Sequence, residues 1–295
     1  MKILRALNFF ETACVVGHDV FQGAFNIVAS ITIRGRLDHD TIHTALAHLY
    51  RNHQLLRCTI ELREGQYYFV EKNAFGAIPI SFEPVNSPVE RKARVEADAD
   101  IIYDYGNHVW RFCLLEEPDG YSSLVFGLNH AMGDGVVLLD LIQKFFEAYL
   151  DLEKGDNPVF YNYRFEREIE QVLSSRHVDA PHEVEHPPGS VNSIDISYVD
   201  PVRRSTRINT TKLDKIQLNA VRQICHQKGI TVNSYIGAAV LRALAQTIDP
   251  NISVILNTPF NVVAQKLIEK HPHEDFGYGV GIVIQQFDNI PVSYT

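Results

Sequence analysis

Positive charge is in short supply in this chain: 27 Lys and Arg stand against 36 Asp and Glu, for a formal net charge of -9 over 295 residues. A protein of that sign has no overall field to attract nucleic acid or anionic lipid, so neither is an expected partner. Long apolar runs are missing too. The stretches Phe25 to Ile33 and Val136 to Ile142 fall well short of the roughly 20 apolar residues a spanning helix needs, so no membrane span is expected. Lys2 and Arg5 precede an apolar stretch that Asn8 and Glu11 break, and no small-residue cleavage site follows, which argues against a signal peptide. Cysteine is sparse. Cys14, Cys58, Cys113 and Cys225 lie far apart with no CxxC pair, and read as reduced, buried thiols of a cytoplasmic protein, forming neither a zinc site nor a disulfide framework. No GxSxG elbow occurs, so Ser234, beside Asn233 in a helical stretch, does not read as a hydrolase nucleophile.

What is present is an alternation of strand and helix patterns, an α/β chain. Ala24 to Ile33 is β-branched and leads through Gly35 and a cap-like Asp38 into a helix whose apolar positions Ile42, Ala45, Leu46 and Leu49 recur at three and four. Leu55 to Leu62 and Gln66 to Val70, joined at Glu64-Gly65, read as a hairpin. Ile78 to Phe82 reads as a strand and Val89 to Asp98 as a charged, exposed helix. Val109 to Leu115 and Ser122 to Leu128 are strands, and Val137 to Tyr149 is a strongly amphipathic helix closing near Gly155. Residues 156–204 are rich in Pro, Asn, Ser, Glu and His and read as a linker with a short helix over Phe165 to Leu173. Beyond it come a strand (Ser205 to Leu213), two helices (Asp214 to Lys228, Val232 to Ile248) and two strands (Ile252 to Thr258, Gly279 to Phe287). The organisation expected is therefore 1–155, a linker at 156–204, and 205–295. No internal repeat is evident.

Chemistry concentrates in Asn129-His130-Ala131-Met132-Gly133-Asp134-Gly135, where a strand stops and a helix starts. A histidine there projects from a tight loop, and its ordinary pKa near 6.5 leaves it largely neutral at pH 7 and able to take a proton. Asp134 is placed to cap the helix, and Gly133 and Gly135 to permit the turn. Two other histidine groups carry less. His271-Pro272-His273-Glu274-Asp275 holds zinc-ligand residue types, but Pro272 and the charge around it read as a solvated loop. His182 and His186, in the linker, read the same way, so no metal site is expected. Arg203, Arg204, Arg207, Lys212 and Lys215 form a basic cluster that is either a solvated face or a seat for coenzyme A phosphates or an acidic carrier surface.

The run Asn129 to Gly135 resembles the HHxxxDG motif of nonribosomal peptide condensation domains and of the chloramphenicol-acetyltransferase-like superfamily of acyl-CoA-dependent acyltransferases. Asn129 stands in place of the first histidine, and His130 corresponds to the second, the family's general base. Upstream, Arg51-Asn52-His53-Gln54-Leu55-Leu56-Arg57-Cys58-Thr59 is similar to the segment after the family's first long helix. By that similarity Arg57 pairs with Asp134, which then holds the loop's shape. Downstream, the helix Thr231 to Thr247 and the strand ending Asn257-Thr258-Pro259 are similar to the start of the family's second half. The resemblance implies two chloramphenicol-acetyltransferase-like subdomains, α+β sandwiches in a V with a tunnel between them, the second shortened at Thr295. It implies acyl transfer from coenzyme A or a carrier protein to a hydroxyl or amine, with His130 as base, and Asn129 or the Gly133 to Gly135 amides as oxyanion donors. The thioester is a co-substrate and no permanent cofactor is implied. Self-association that completes the tunnel, and a non-catalytic module that recognises an acyl chain or carrier protein, stay open beside it.

Overall fold

The computed structural model describes residues 2–72, 74–165, 200–247, 254–261 and 280–287. The chain divides into two compact units: 1–179 with 199–208 and 261–280, and 180–198 with 209–260 and 281–295. In the first unit the order is β1 (Lys2–Ala6), α1 (Phe9–Val20), β2 (Asn26–Arg34), α2 (His39–Asn52), β3 (Cys58–Arg63), β4 (Gln66–Glu71), β5 (Ile80–Pro84), α3 (Pro88–Ala99), β6 (Trp110–Glu116), β7 (Tyr121–Asn129) and α4 (Gly135–Glu153). The described elements of the second are α5 (Lys215–Lys228), α6 (Val232–Thr247), β8 (Val254–Asn261) and β9 (Val280–Phe287), the last two paired.

Two sheets organise the first unit. The larger runs β2-β7-β6-β5, antiparallel except for the parallel β5/β6 pair that α3 bridges. The smaller runs β1-β4-β3, and the β3/β4 hairpin turns at Glu64-Gly65, both with positive φ (50° and 81°), as a tight two-residue hairpin requires. Alternation along the central strands separates two apolar layers. Phe112, Leu114, Leu124 and Phe126 face the α2/α4 layer, while Cys113, Leu115 and Val125 pack with Val95 of α3. Ile42, Ala45, Leu46 and Leu49 are the buried stripe of α2, and Asp38 caps that helix through the Thr41 amide, as the spacing predicts. Phe112, Phe126 and Phe145 interlock at centroid distances of 4.9 Å (Phe112 to Phe126) and 5.4 Å (Phe126 to Phe145). Phe145 on α4 is thereby fixed against the strand that carries the motif. All four cysteines are buried and free.

One expectation needs correction and one needs refinement. Residues 205–213 form no ladder; they belong to a strap whose polar atoms bond α3 instead. The α3 helix is charged and exposed along its outer face, as expected, but Glu96 and Asp98 on its inner face are buried. Asp98 is fully buried against Arg111 at 2.9 Å, and Arg94 forks onto Glu83 at 2.6 and 2.8 Å. Its charges are matched by sheet residues distant in sequence, a pairing that charge patterning along one helix does not reveal. The Arg94 guanidinium holds Glu83 down to about 2, while burial pushes Asp98 above the usual carboxylate range despite Arg111 and Arg94. The N-terminus contributes β1 and α1, elements the apolar pattern alone did not announce. Asn8 and Glu11, the residues that break the apolar stretch, are the two halves of a capping box for α1, and Arg5 forks onto Glu11 at 2.7 Å. The short helix expected beyond Phe165, His182, His186 and the His271 to Asp275 run lie outside the described residues.

Candidate active site

His130 begins a single 3₁₀ turn, His130–Met132, at the end of β7. The strand is buried from Ser122 to Asn129, and burial relaxes at His130, which is partly exposed. Backbone bonds on three sides fix the loop. His130 donates its amide to the Phe25 carbonyl at 2.8 Å, Asn129 to Val109 at 2.9 Å, and Gly133 to the His130 carbonyl at 3.3 Å. Asn129 is fully buried, and its Oδ1 accepts from the Ala131 amide at 3.0 Å, so it caps the turn.

Asp134 then starts α4. Its Oδ1 accepts from the Val136 and Val137 amides at 2.8 and 3.1 Å, placing its charge at the positive end of the helix. Burial is the largest influence on the His130 imidazole and lowers its pKa below the ordinary histidine value; the His130 and Gly133 backbone and the Asp134 charge offset this only in part. The side chain is therefore neutral at pH 7 and competent to accept a proton.

The two loop glycines differ in what they require. Gly133 has extended backbone (φ 165°), which any residue adopts, but an added Cβ would lie 2.8 Å from Val137 Cγ1. Gly135 has open space where its Cβ would be. The turn therefore needs Gly133 for close approach of α4, not for conformational freedom, and places no steric demand on Gly135.

Arg57 is not brought to Asp134. Its Nε donates to Glu71 Oε1 at 2.8 Å, and its Nη1 donates to the carbonyls of Tyr50 (3.3 Å) and Arg51 (2.6 Å), which ties the end of α2 to β4. The pairing drawn from the family resemblance is corrected: the acid that matches Arg57 sits 14 residues downstream in the hairpin, and the described oxygen of Asp134 is committed to helix amides. The basic cluster is also partly used. Arg204 lies 3.4 Å from Asp100 and donates to the Phe21 carbonyl at 3.2 Å, and Arg207 lies 3.8 Å from Glu96. Phe25, whose carbonyl anchors the motif's histidine, was not singled out from sequence, because its role runs through the main chain. Among the described residues no group of three His, Cys, Asp or Glu side chains is arranged to hold a metal ion, and no helix is long and apolar enough to cross a membrane.

The fold has relatives of known structure. Polyketide synthase associated protein 5 from Mycobacterium tuberculosis is 18% identical with a TM-score of 0.66, over 99% of this chain and 68% of that one. The first condensation domain of the calcium-dependent antibiotic synthetase, in complex with substrate analogue 3a, is 13% identical with a TM-score of 0.72, over 97% and 70%. The starter condensation domain of rhizomide synthetase, in complex with C8-CoA, is 15% identical with a TM-score of 0.67, over 98% and 67%. This chain thus spans about two thirds of each of those chains. No curated protein sequence matches it. The Condensation domain family model matches residues 18–262, a span that contains the β7–turn–α4 frame and its histidine, and the chain therefore belongs to the condensation-domain family.

Proposed function

We propose that this protein transfers an acyl group from a thioester to a hydroxyl or amine, with His130 as general base. The carrying observation is the imidazole itself: partly exposed at the end of a buried strand, tethered by its backbone, and held neutral by burial. Nε2 takes the proton from the acceptor as its oxygen or nitrogen attacks the thioester carbonyl. The tetrahedral intermediate collapses with loss of the thiolate, which takes the proton back from the imidazolium. No acyl-enzyme is needed.

In this reading Asn129 and Asp134 hold the loop, and Arg57 steadies the neighbouring hairpin. The oxyanion is met by a loop amide. The Gly133 amide already bonds the His130 carbonyl, whereas Asn129 accepts from Ala131 only through Oδ1 and its Nδ2 is buried without a hydrogen-bond partner among the described residues, so Asn129 Nδ2 and the Gly135 amide in the first turn of α4 are the favoured donors. Such a donor is typically worth about 3 to 4 kcal/mol. A thioester of coenzyme A fits the ligand named for the rhizomide starter domain, and a carrier-bound phosphopantetheine presents the same reacting group. A cytoplasmic location suits either donor.

Thiol release from acyl-CoA donors, acetyl to long chain, with and without pooled alcohols and amines, tests the reading. Release that needs both an acceptor and His130 supports it. Turnover that survives His130→Ala removes the mechanism. Folded protein that binds donors but never releases thiol, with free or carrier-bound donors, favours a recognition module.

A further inference from the structure

The loop between α1 and β2 deepens the acyl-transfer reading and rests on it. Gln22 and Phe25 both hold left-handed backbone (φ 51° and 59°) although neither is glycine. Residues of this kind keep such a conformation only where their surroundings impose it, and they concentrate at functional sites. The surroundings here can be named. Asn26 Nδ2 donates to the Ile101 carbonyl at 2.6 Å, and Arg204 donates to the carbonyls of Phe21 at 3.2 Å and Gln22 at 3.4 Å. The Phe25 ring sits on Gly17 of α1 so closely that a Cβ there would come within 2.5 Å of Phe25 Cε2.

Phe25 stands one step beyond the Asn26–Asn129 pair of the β2/β7 ladder, opposite His130, and its carbonyl receives the His130 amide at 2.8 Å. Phe25 remains 45% exposed, so core burial does not account for a bulky residue at a position that glycine would occupy without strain. We propose that Phe25 is a positioning residue for His130: the ring, seated in the notch at Gly17, fixes the left-handed turn whose carbonyl holds the histidine's main chain. The imidazole is aimed from both sides, by the end of β7 and by this loop.

Phe25→Gly keeps the backbone accessible and removes the seated ring, and its test uses two readouts: thiol release from octanoyl-CoA with the pooled acceptors, and amide hydrogen exchange at His130. Expected are an unchanged melting temperature, exchange at His130 faster by about tenfold or more, kcat lower by about tenfold to a hundredfold, and KM within about twofold. Gly17→Ala, which displaces the ring, lowers kcat in the same direction, and Phe25→Tyr, which keeps a ring on Gly17, restores it. If Phe25→Gly does not fold, Phe25→Asn, whose side chain tolerates left-handed backbone, replaces it. Unchanged exchange at His130 overturns the proposal even where no turnover is measured. His130→Ala separates the two ideas: wild-type turnover in that variant defeats the acyl-transfer reading, whereas an inactive His130→Ala beside a fully active Phe25→Gly defeats the positioning role alone.

Discussion

At His130 the direction of the pKa shift has a kinetic signature. A general base works in its neutral form, and burial lowers the folded-state pKa below the ordinary value of about 6.5. Activity therefore rises with pH through a midpoint below about 6.5, and a pH profile of kcat/KM for the free enzyme shows its acid limb there. A limb displaced above that value would mean that the titrating base is another group. The neighbouring glycines yield a stability test on the same loop. Gly133→Ala forces Val137 and the first turn of α4 to move and should cost about 1 to 3 kcal/mol in urea unfolding. Gly135→Ala meets nothing and adds a better helix former, so it should be neutral or stabilise by up to about 1 kcal/mol.

Among the elements, the pairing of α2 with the hairpin is where the structure departs from the family resemblance. Arg57 and Glu71 are each largely buried and joined at 2.8 Å, so a double-mutant cycle between them should give a coupling of about 0.5 to 3 kcal/mol. The cycle between Arg57 and Asp134 should be additive to about 0.5 kcal/mol. Asp134→Asn should keep most of the stability that Asp134→Ala loses, because an asparagine caps a helix as well as an aspartate does. The same elements show what the sequence carries. The α2 stripe, the hairpin turn and the strand–turn–helix frame of His130 are local periodicities and caps, and they were legible. The partner of Arg57, the sheet-facing charges of α3 and the support from Phe25 are contacts between distant segments, and spacing does not encode them. The strand expected at residues 205–213 failed for the same reason: an extended, β-branched stretch whose hydrogen bonds go to side chains looks like a strand until its neighbours are known.

On the scale of the whole molecule, the part of that stretch up to Ile208 belongs to the first compact unit. The Thr206 amide and hydroxyl each donate to Asp100 at 2.6 Å, and the Ile208 amide donates to Glu96 at 2.7 Å, so two carboxylates of the α3 region hold the strap. The Ile208 amide is the main reason that Glu96 lies below the usual carboxylate range. Because the folded-state pKa is the lower one, this contribution is present above the unfolded value of about 4.3 and is lost as pH falls through the folded value. Exchange at the Ile208 amide should therefore remain slow at neutral pH and lose protection in acid before the core strands do. Combining Glu96→Gln with Asp100→Asn should open the strap at neutral pH, with trypsin cutting at Arg203, Arg204 or Arg207 about tenfold faster while the urea midpoint moves little. If cleavage accelerates only in step with global unfolding, the strap is not a separately opening segment, and its carboxylates are ordinary contributors to the stability of the first unit.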